Sequence, residues 1–194
     1  MENIILIKPW VSKIMNLPEV VNNPILRSLY EFYLTNDNFS IVLPIITSNS
    51  NISIRVLDWF VTNYSKKNNI IYPIKNGEDI IFYNVYLQYK SQLKGYKKKL
   101  FDPFCRKERI VFYYDEKKCI VTTIGQLNFF RWAIKFKVLD YIIDNLNIIC
   151  NDMNNSTKEL IDNIHFISNN SSSNNSSSNN SITDSINSSS SNTD

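Results

Sequence analysis

The stretch Ile110–Ile142, IVFYYDEKKCIVTTIGQLNFFRWAIKFKVLDYI, constrains the fold more than any other part of the chain. Ile110, Phe112 and Tyr114 alternate with Val111 and Tyr113, the period-2 pattern of a strand built from aromatic and β-branched residues. Asp115–Lys118 is a charged turn, and Cys119–Thr122 resumes strand character, so the segment predicts a β-hairpin. Thr123 with Gln126 three residues on is the pattern of a capping box, which starts a helix. Leu127, Phe130, Ile134, Val138, Tyr141 and Ile142 then fall on one face at helical spacing. Phe129, Trp132, Ala133 and Phe136 widen that face, so a single helix over residues 124–145 is expected to be buried on two sides, with Trp132 in the core. Asn128, Arg131 and Lys135 form its polar strip, open to phosphates or a partner on one reading and a solvated face on the other.

The remaining elements are weaker. Ile4–Ile7 reads as a short strand, Pro9–Trp10 as a turn, and a helix is predicted from Pro24 with Ile25, Leu29, Phe32 and Tyr33 inward. Phe39–Ile46 reads as a strand that Pro44 confines to a sheet edge, followed by a polar loop over residues 47–51. Ser53–Lys67 predicts a second strong helix, with Lys66 and Lys67 suited to its C-terminal dipole. Ile70–Ile74 and Ile80–Tyr89 read as strands joined by a turn at Asn76-Gly77. Ser and Asn supply 21 of the 27 positions from Ser168 to Asp194, too polar to offset ordering entropy.

The expected architecture is therefore α+β. A small, mainly antiparallel sheet of hairpins packs on two or three helices in one domain over residues 1–152. Residues 1–50 are peripheral and 52–142 form the core. A short helix or linker occupies 153–167, around Leu160–Ile164, and a disordered tail runs from 168 to 194.

Much chemistry is excluded by what the residues lack. The three glycines, Gly77, Gly95 and Gly125, are isolated, so no Gly-rich phosphate loop can be built. His165 is the sole histidine and reads as exposed and idle. No histidine triad or zinc finger follows, and neither metal nor cofactor is expected. Cys105, Cys119 and Cys150 are odd in number and scattered, as suits reduced thiols in an intracellular compartment. No signal peptide or membrane span is read in the chain.

Charge is the feature that points outward. The formal net charge is +3, yet between Asn51 and Asp140 17 Lys/Arg face 8 Asp/Glu. The densest part holds Lys90, Lys94, Lys97, Lys98, Lys99, Arg106, Lys107 and Arg109, with Arg131 and Lys135 added from the following helix. Tyr86, Tyr89, Tyr96, Phe101 and Phe104 are interleaved. Cations that neutralise phosphates beside rings that stack on bases describe a surface for DNA or RNA. The same composition also describes a solvated or protein-binding face whose rings turn inward.

One enzymatic pattern exists. Asp79 before the strand Ile80–Tyr89, with Gln88-Tyr-Lys90 closing it, resembles a degenerate PD-(D/E)xK nuclease core, with Glu78 a further oxygen for a divalent cation. No proline precedes Asp79 and glutamine stands in place of glutamate.

SIRVLDWFVTNYSKKNNIIY, FDPFCRKERI and TTIGQLNFFRWAI together resemble a family of uncharacterised proteins from large nucleocytoplasmic DNA viruses of the mimivirus kind, over about Ile52 to Tyr141. The resemblance implies a setting, the host cytoplasm with its viral factory or the virion, and no activity. The expected function is a non-enzymatic nucleic-acid-binding accessory protein. A virion-associated or scaffolding module that meets a viral protein partner is the alternative, and the nuclease is the third. The oligomeric state is left open.

Overall fold

The computed structural model describes residues 9–35 and 37–173. The expected strand at Ile4–Ile7 and the tail beyond Ser173 lie outside the described residues. The chain divides into two compact units, Met1–Met153 and Asn154–Asp194.

Among the described residues the first unit begins with four helices, α1 (Pro9–Met15), α2 (Pro18–Val21), α3 (Pro24–Thr35) and α4 (Asn38–Ile46). Two expectations are corrected here. Pro9–Trp10 starts a helix, because a proline without an N–H suits the first helical turn. Phe39–Ile46 is helical, not an edge strand. Phe39, Val42 and Ile45 recur every third residue and are all buried, and that packing outweighs the cost of Pro44 inside the helix. Nor is this region peripheral. Leu26, Leu29, Tyr30 and Tyr33 of α3 are buried in the central cluster, where Tyr30 stacks on Phe112 with centroids 4.3 Å apart.

The helix expected over Ser53–Lys67 is present in three parts, α5 (Ile54–Trp59), a π-helical turn (Phe60–Tyr64) and α6 (Ser65–Lys67). Ser53 Oγ caps it by accepting from the Val56 N–H at 3.2 Å, a contact that contributes about 1 kcal/mol.

Two hairpins follow the same plan. The strands β1 (Ile71–Asn76) and β2 (Asp79–Asn84) pair antiparallel, and β2 passes directly into α7 (Val85–Gly95). The strands β3 (Arg109–Tyr113) and β4 (Cys119–Thr123) pair antiparallel, and β4 passes directly into α8 (Ile124–Lys135). In each case the last strand residue is also the N-cap. Asn84 Oδ1 accepts from the Leu87 N–H at 3.0 Å, and Thr123 Oγ1 accepts from the Gln126 N–H at 3.1 Å. The strand expected to run on to Tyr89 therefore stops at Asn84, where the asparagine cap redirects the backbone. The two hairpins form two separate two-stranded sheets, so the expected α+β class and antiparallel pairing hold.

The long helix expected over residues 124–145 is broken. Lys137 adopts a left-handed φ of 60° and separates α8 from α9 (Val138–Asp144). Trp132 is in the core as expected, and its Nε1–H donates to the Tyr83 hydroxyl at 2.8 Å, tying α8 to the first hairpin. Tyr72 donates to the Phe136 carbonyl at 2.8 Å and ties β1 to the end of α8. The last helix, α10, covers Leu146–Ser173. It exceeds the short helix expected near Leu160–Ile164 and includes residues 168–173, which composition alone assigned to the disordered tail.

Candidate functional site

The basic stretch is built on the N-terminal half of α8. After α7 the chain makes a 3-10 turn at Lys98–Leu100 and crosses to β3 through residues 101–108. Four residues at the start of α8 hold this crossing by its backbone. Asn128 Nδ2 donates to the Leu100 carbonyl at 3.0 Å, and Gln126 Nε2 to that of Pro103 at 3.0 Å. The Thr123 hydroxyl donates to the Cys105 carbonyl at 3.4 Å, and the Gly125 carbonyl accepts from the Asp102 N–H at 3.3 Å. Gly125 is required for this approach, since a Cβ there would lie 2.6 Å from the Lys99 carbonyl oxygen. The capping box is thus only half made. Gln126 spends its side chain on Pro103 and on the Thr122 hydroxyl, which donates to Gln126 Oε1 at 2.7 Å.

With its carbonyls held inward, the crossing turns its charged side chains outward. Lys99, Arg106 and Lys107 are all exposed, and the Cys105 thiol lies 3.6 Å from the carbonyl oxygens of both Lys99 and Lys107. The backbone of Lys99 and of Lys107 thus converges on Cys105. Lys99 pairs with Glu108 at 2.9 Å, an exposed pair of about 1 kcal/mol or less that a phosphate can displace. Lys90 and Lys94 are one turn apart on α7 and exposed, as are Lys97 and Arg109. For Lys98 only the backbone, in the 3-10 turn, is described.

Two of the three residues in the polar strip of α8, Asn128 and Arg131, are engaged within the fold. Asn128 is 2% exposed. Arg131 donates to the Ser28 hydroxyl at 2.9 Å, the Tyr96 hydroxyl at 3.2 Å and Asn128 Oδ1 at 2.8 Å. It joins α3, α8 and the end of α7, and is a structural clamp. Lys135 is exposed, with its ammonium 5.5 Å from the centroid of the Phe136 ring.

The interleaved rings are mostly core. Tyr89 and Phe101 are buried against Phe129 and Trp132, and Tyr96 stacks on Phe101 at 5.7 Å. Phe104 is the exception at 44% exposed, while Tyr86 is half-buried.

Phe104 and Tyr86 both border an open groove of 610 Å³ between the π-helical turn, α7 and the crossing. Asp58, Thr62, Lys90 and Asp102 supply its polar lining, and Tyr89 and Phe101 contribute to the wall. Asp102 Oδ1 accepts from the Phe104 N–H at 2.8 Å. Burial pushes the Tyr89 phenol up to about 12, and the negative charges of Asp58 and Asp102 add to the shift. The composition of the sequence signals Lys90 and Phe104 but not Asp58 or Thr62, which reach this place only through the fold.

The nuclease pattern loses its geometry. Asp79 starts β2, whereas Gln88 and Lys90 lie on α7, not on the same strand, and Asp79, Gln88 and Lys90 are all exposed. Among the described residues no three His, Cys, Asp or Glu are placed to share a metal ion. No described helix is long and apolar enough to cross a membrane.

The comparisons agree with the resemblance read from the sequence. The chain is 49% identical over 136 residues to the protein "Uncharacterized protein L507" of Acanthamoeba polyphaga mimivirus. That match covers 66% of this chain and 52% of the relative, so the chain spans about half of the relative's length. No solved structure matches. Residues 19–194 match the family of unknown function DUF7197, and the chain belongs to that family.

Proposed function

We propose that the chain is a non-enzymatic nucleic-acid-binding accessory protein that uses the exposed cations of residues 90–109. The observation that carries this reading is the pinned crossing, whose backbone is held to α8 while Lys99, Arg106 and Lys107 are left exposed, as are Lys90 and Lys94 of α7. Cations that meet a phosphate chain release the counterions condensed on it. Arg131 is left out of the interface because three of its five N–H donors are held by Ser28, Tyr96 and Asn128. With a mimivirus relative, the setting is the host cytoplasm with its viral factory, or the virion.

The test is charge reversal at Lys94, Lys97, Arg106 and Lys107 together, all of which are exposed. Affinity for a labelled single strand should fall about tenfold or more while the unfolding midpoint is kept. Unchanged affinity overturns the assignment.

One observation favours a second reading, a module that binds a viral protein. The outer face of the β1–β2 hairpin carries Ile71, Ile80 and Phe82, and Phe82 is 78% exposed. The Pro73↔Phe82 and Lys75↔Ile80 pairs place Phe82 and Ile80 on one face of the ribbon. Absence of oligonucleotide binding at low salt would move the function to this face.

A further inference from the structure

We propose that the outer edge of β2 pairs, antiparallel and about a twofold axis at Ile81, with the same edge of a second copy of this chain. The inference is separate from the nucleic-acid reading and gives the exposed first hairpin a partner, the chain itself.

The backbone decides which edge is open. Along an antiparallel strand, successive residues direct their N–H and C=O groups towards the paired neighbour and then away from it. The Val85 N–H donates to the Ile70 carbonyl at 3.2 Å, on the β1 side. By alternation Ile81 and Tyr83 also point towards β1, while Ile80 and Phe82 point away from it. Pro73, opposite Phe82, agrees with this phase, because a paired proline keeps its ring nitrogen on the solvent side. The sheet has two strands, and among the described residues Ile80 and Phe82 meet no further backbone partner.

The sequence treats the two edges of the hairpin differently. Soluble proteins blunt an open edge with proline or lysine, since its unpaired groups are a template for another chain. The β1 edge carries both devices, Pro73 and Lys75. The β2 edge carries neither between Ile80 and Tyr83. That run is apolar on both faces, with Ile80 64%, Ile81 39% and Phe82 78% exposed. A strand apolar on both faces has the pattern of a sheet interior, which a further strand beside β2 would make it.

The occupant follows from the register. With Ile81 on the axis, Ile80 lies opposite Phe82 of the second copy, and these are the residues whose backbone groups point outward. Two Ile80–Phe82 pairs and one Ile81–Ile81 pair then meet across the strands. Charge fits the same register. Glu78 and Asp79 are exposed at the turn end of β2. Beyond its other end stands the exposed Lys66, its ammonium 5.6 Å from the centroid of the Tyr86 ring. The twofold brings the acidic end of each strand to the lysine end of the other, whereas parallel pairing would set Asp79 against Asp79. The contact is isologous, the usual way in which identical chains associate. It is one strand wide on each side, so the dimer is reversible and depends on concentration.

The experiment is sedimentation velocity on the full chain from about 2 to 200 μM, a range suited to a small contact. The unmodified chain should pass from monomer to dimer within it. Ile81→Lys and Ile81→Glu each set like charges face to face on the axis and should weaken self-association about tenfold or more. Mixed in equal amounts, the two variants should regain the dimer, because lysine then faces glutamate. Variants that had merely unfolded could not be rescued in this way. An unmodified chain that stays monomeric throughout, variants that dimerise as it does, or a mixture that stays monomeric would each overturn the inference. A labelled single strand is titrated into the same samples, so a monomer that binds it overturns this inference and leaves the nucleic-acid reading standing.

Discussion

Asn128→Ala is the substitution that bears most directly on how the basic crossing is held. Asn128 is almost fully buried and makes two side-chain hydrogen bonds, one to the Leu100 carbonyl and one from the Arg131 guanidinium. The first is a neutral bond of about 1 kcal/mol, and the second involves a charge and is worth about 1.5–3 kcal/mol. Arg131 keeps Ser28 and Tyr96 after the change, so part of the second contribution survives. The expected loss is about 2–3 kcal/mol, or roughly 5–10 °C in Tm for a unit of this size. Urea unfolding of the full chain, followed by tryptophan fluorescence, measures it as a lower midpoint at constant slope. A cycle with Arg131→Ala should show a coupling of about 1 kcal/mol or more between the two side chains. A loss below about 0.5 kcal/mol, the level of an ordinary surface change, would refute the view that this asparagine pins the crossing to α8.

Three further outcomes are expected. Trp132→Ala should cost about 3–5 kcal/mol by deleting a buried ring, and Trp132→Phe about 1 kcal/mol for the lost bond to Tyr83, both read by the same unfolding assay. Gly125→Ala places a Cβ 2.6 Å from the Lys99 carbonyl oxygen, so the crossing must shift. It should lose about 1–3 kcal/mol in that assay and weaken oligonucleotide binding. Finally, burial raises the phenol pKa of Tyr30, Tyr33, Tyr72, Tyr83 and Tyr89. A raised folded pKa gives stability that is complete below the unfolded value near 10 and lost as pH rises above it. Alkaline unfolding should therefore begin near pH 10, with tyrosine ionisation and loss of helix coinciding in absorbance and circular dichroism.

What the sequence makes legible is local. Period-2 aromatics with a charged turn identify the second hairpin, and Thr123 marks the start of α8, because a strand pattern and a cap need only neighbours. Asn84 carries the same cap signal, yet the aromatic run around it reads as continuous strand. Val85 and Tyr89, four apart and both buried, are the helical period within that run. Burial at every third residue similarly makes Phe39–Ile46 a helix despite Pro44. The π-helical turn and the left-handed Lys137 have no local sequence mark.

The candidate site divides in the same way. Composition locates the cations of residues 90–109 but not which of them are free to act. Arg131 is spent on Ser28, a partner 103 positions away, so no spacing rule could remove it from the surface. Asp58 and Asp102 meet in one groove although 44 positions separate them, since α5 and the crossing are brought together only by the fold. Most of the interleaved rings prove to be core, and Phe104 alone is left well exposed among them.

The most direct measurement of the account is the salt dependence of binding between the full, unmodified chain and a labelled single strand. Seven exposed cations, Lys90, Lys94, Lys97, Lys99, Arg106, Lys107 and Arg109, stand on the proposed surface. If all seven neutralise phosphates, log K should fall with log[salt] at a slope of about −5, at roughly 0.7 per contact. A slope near zero, or no binding at the lowest salt, would contradict the claim that this surface engages nucleic acid.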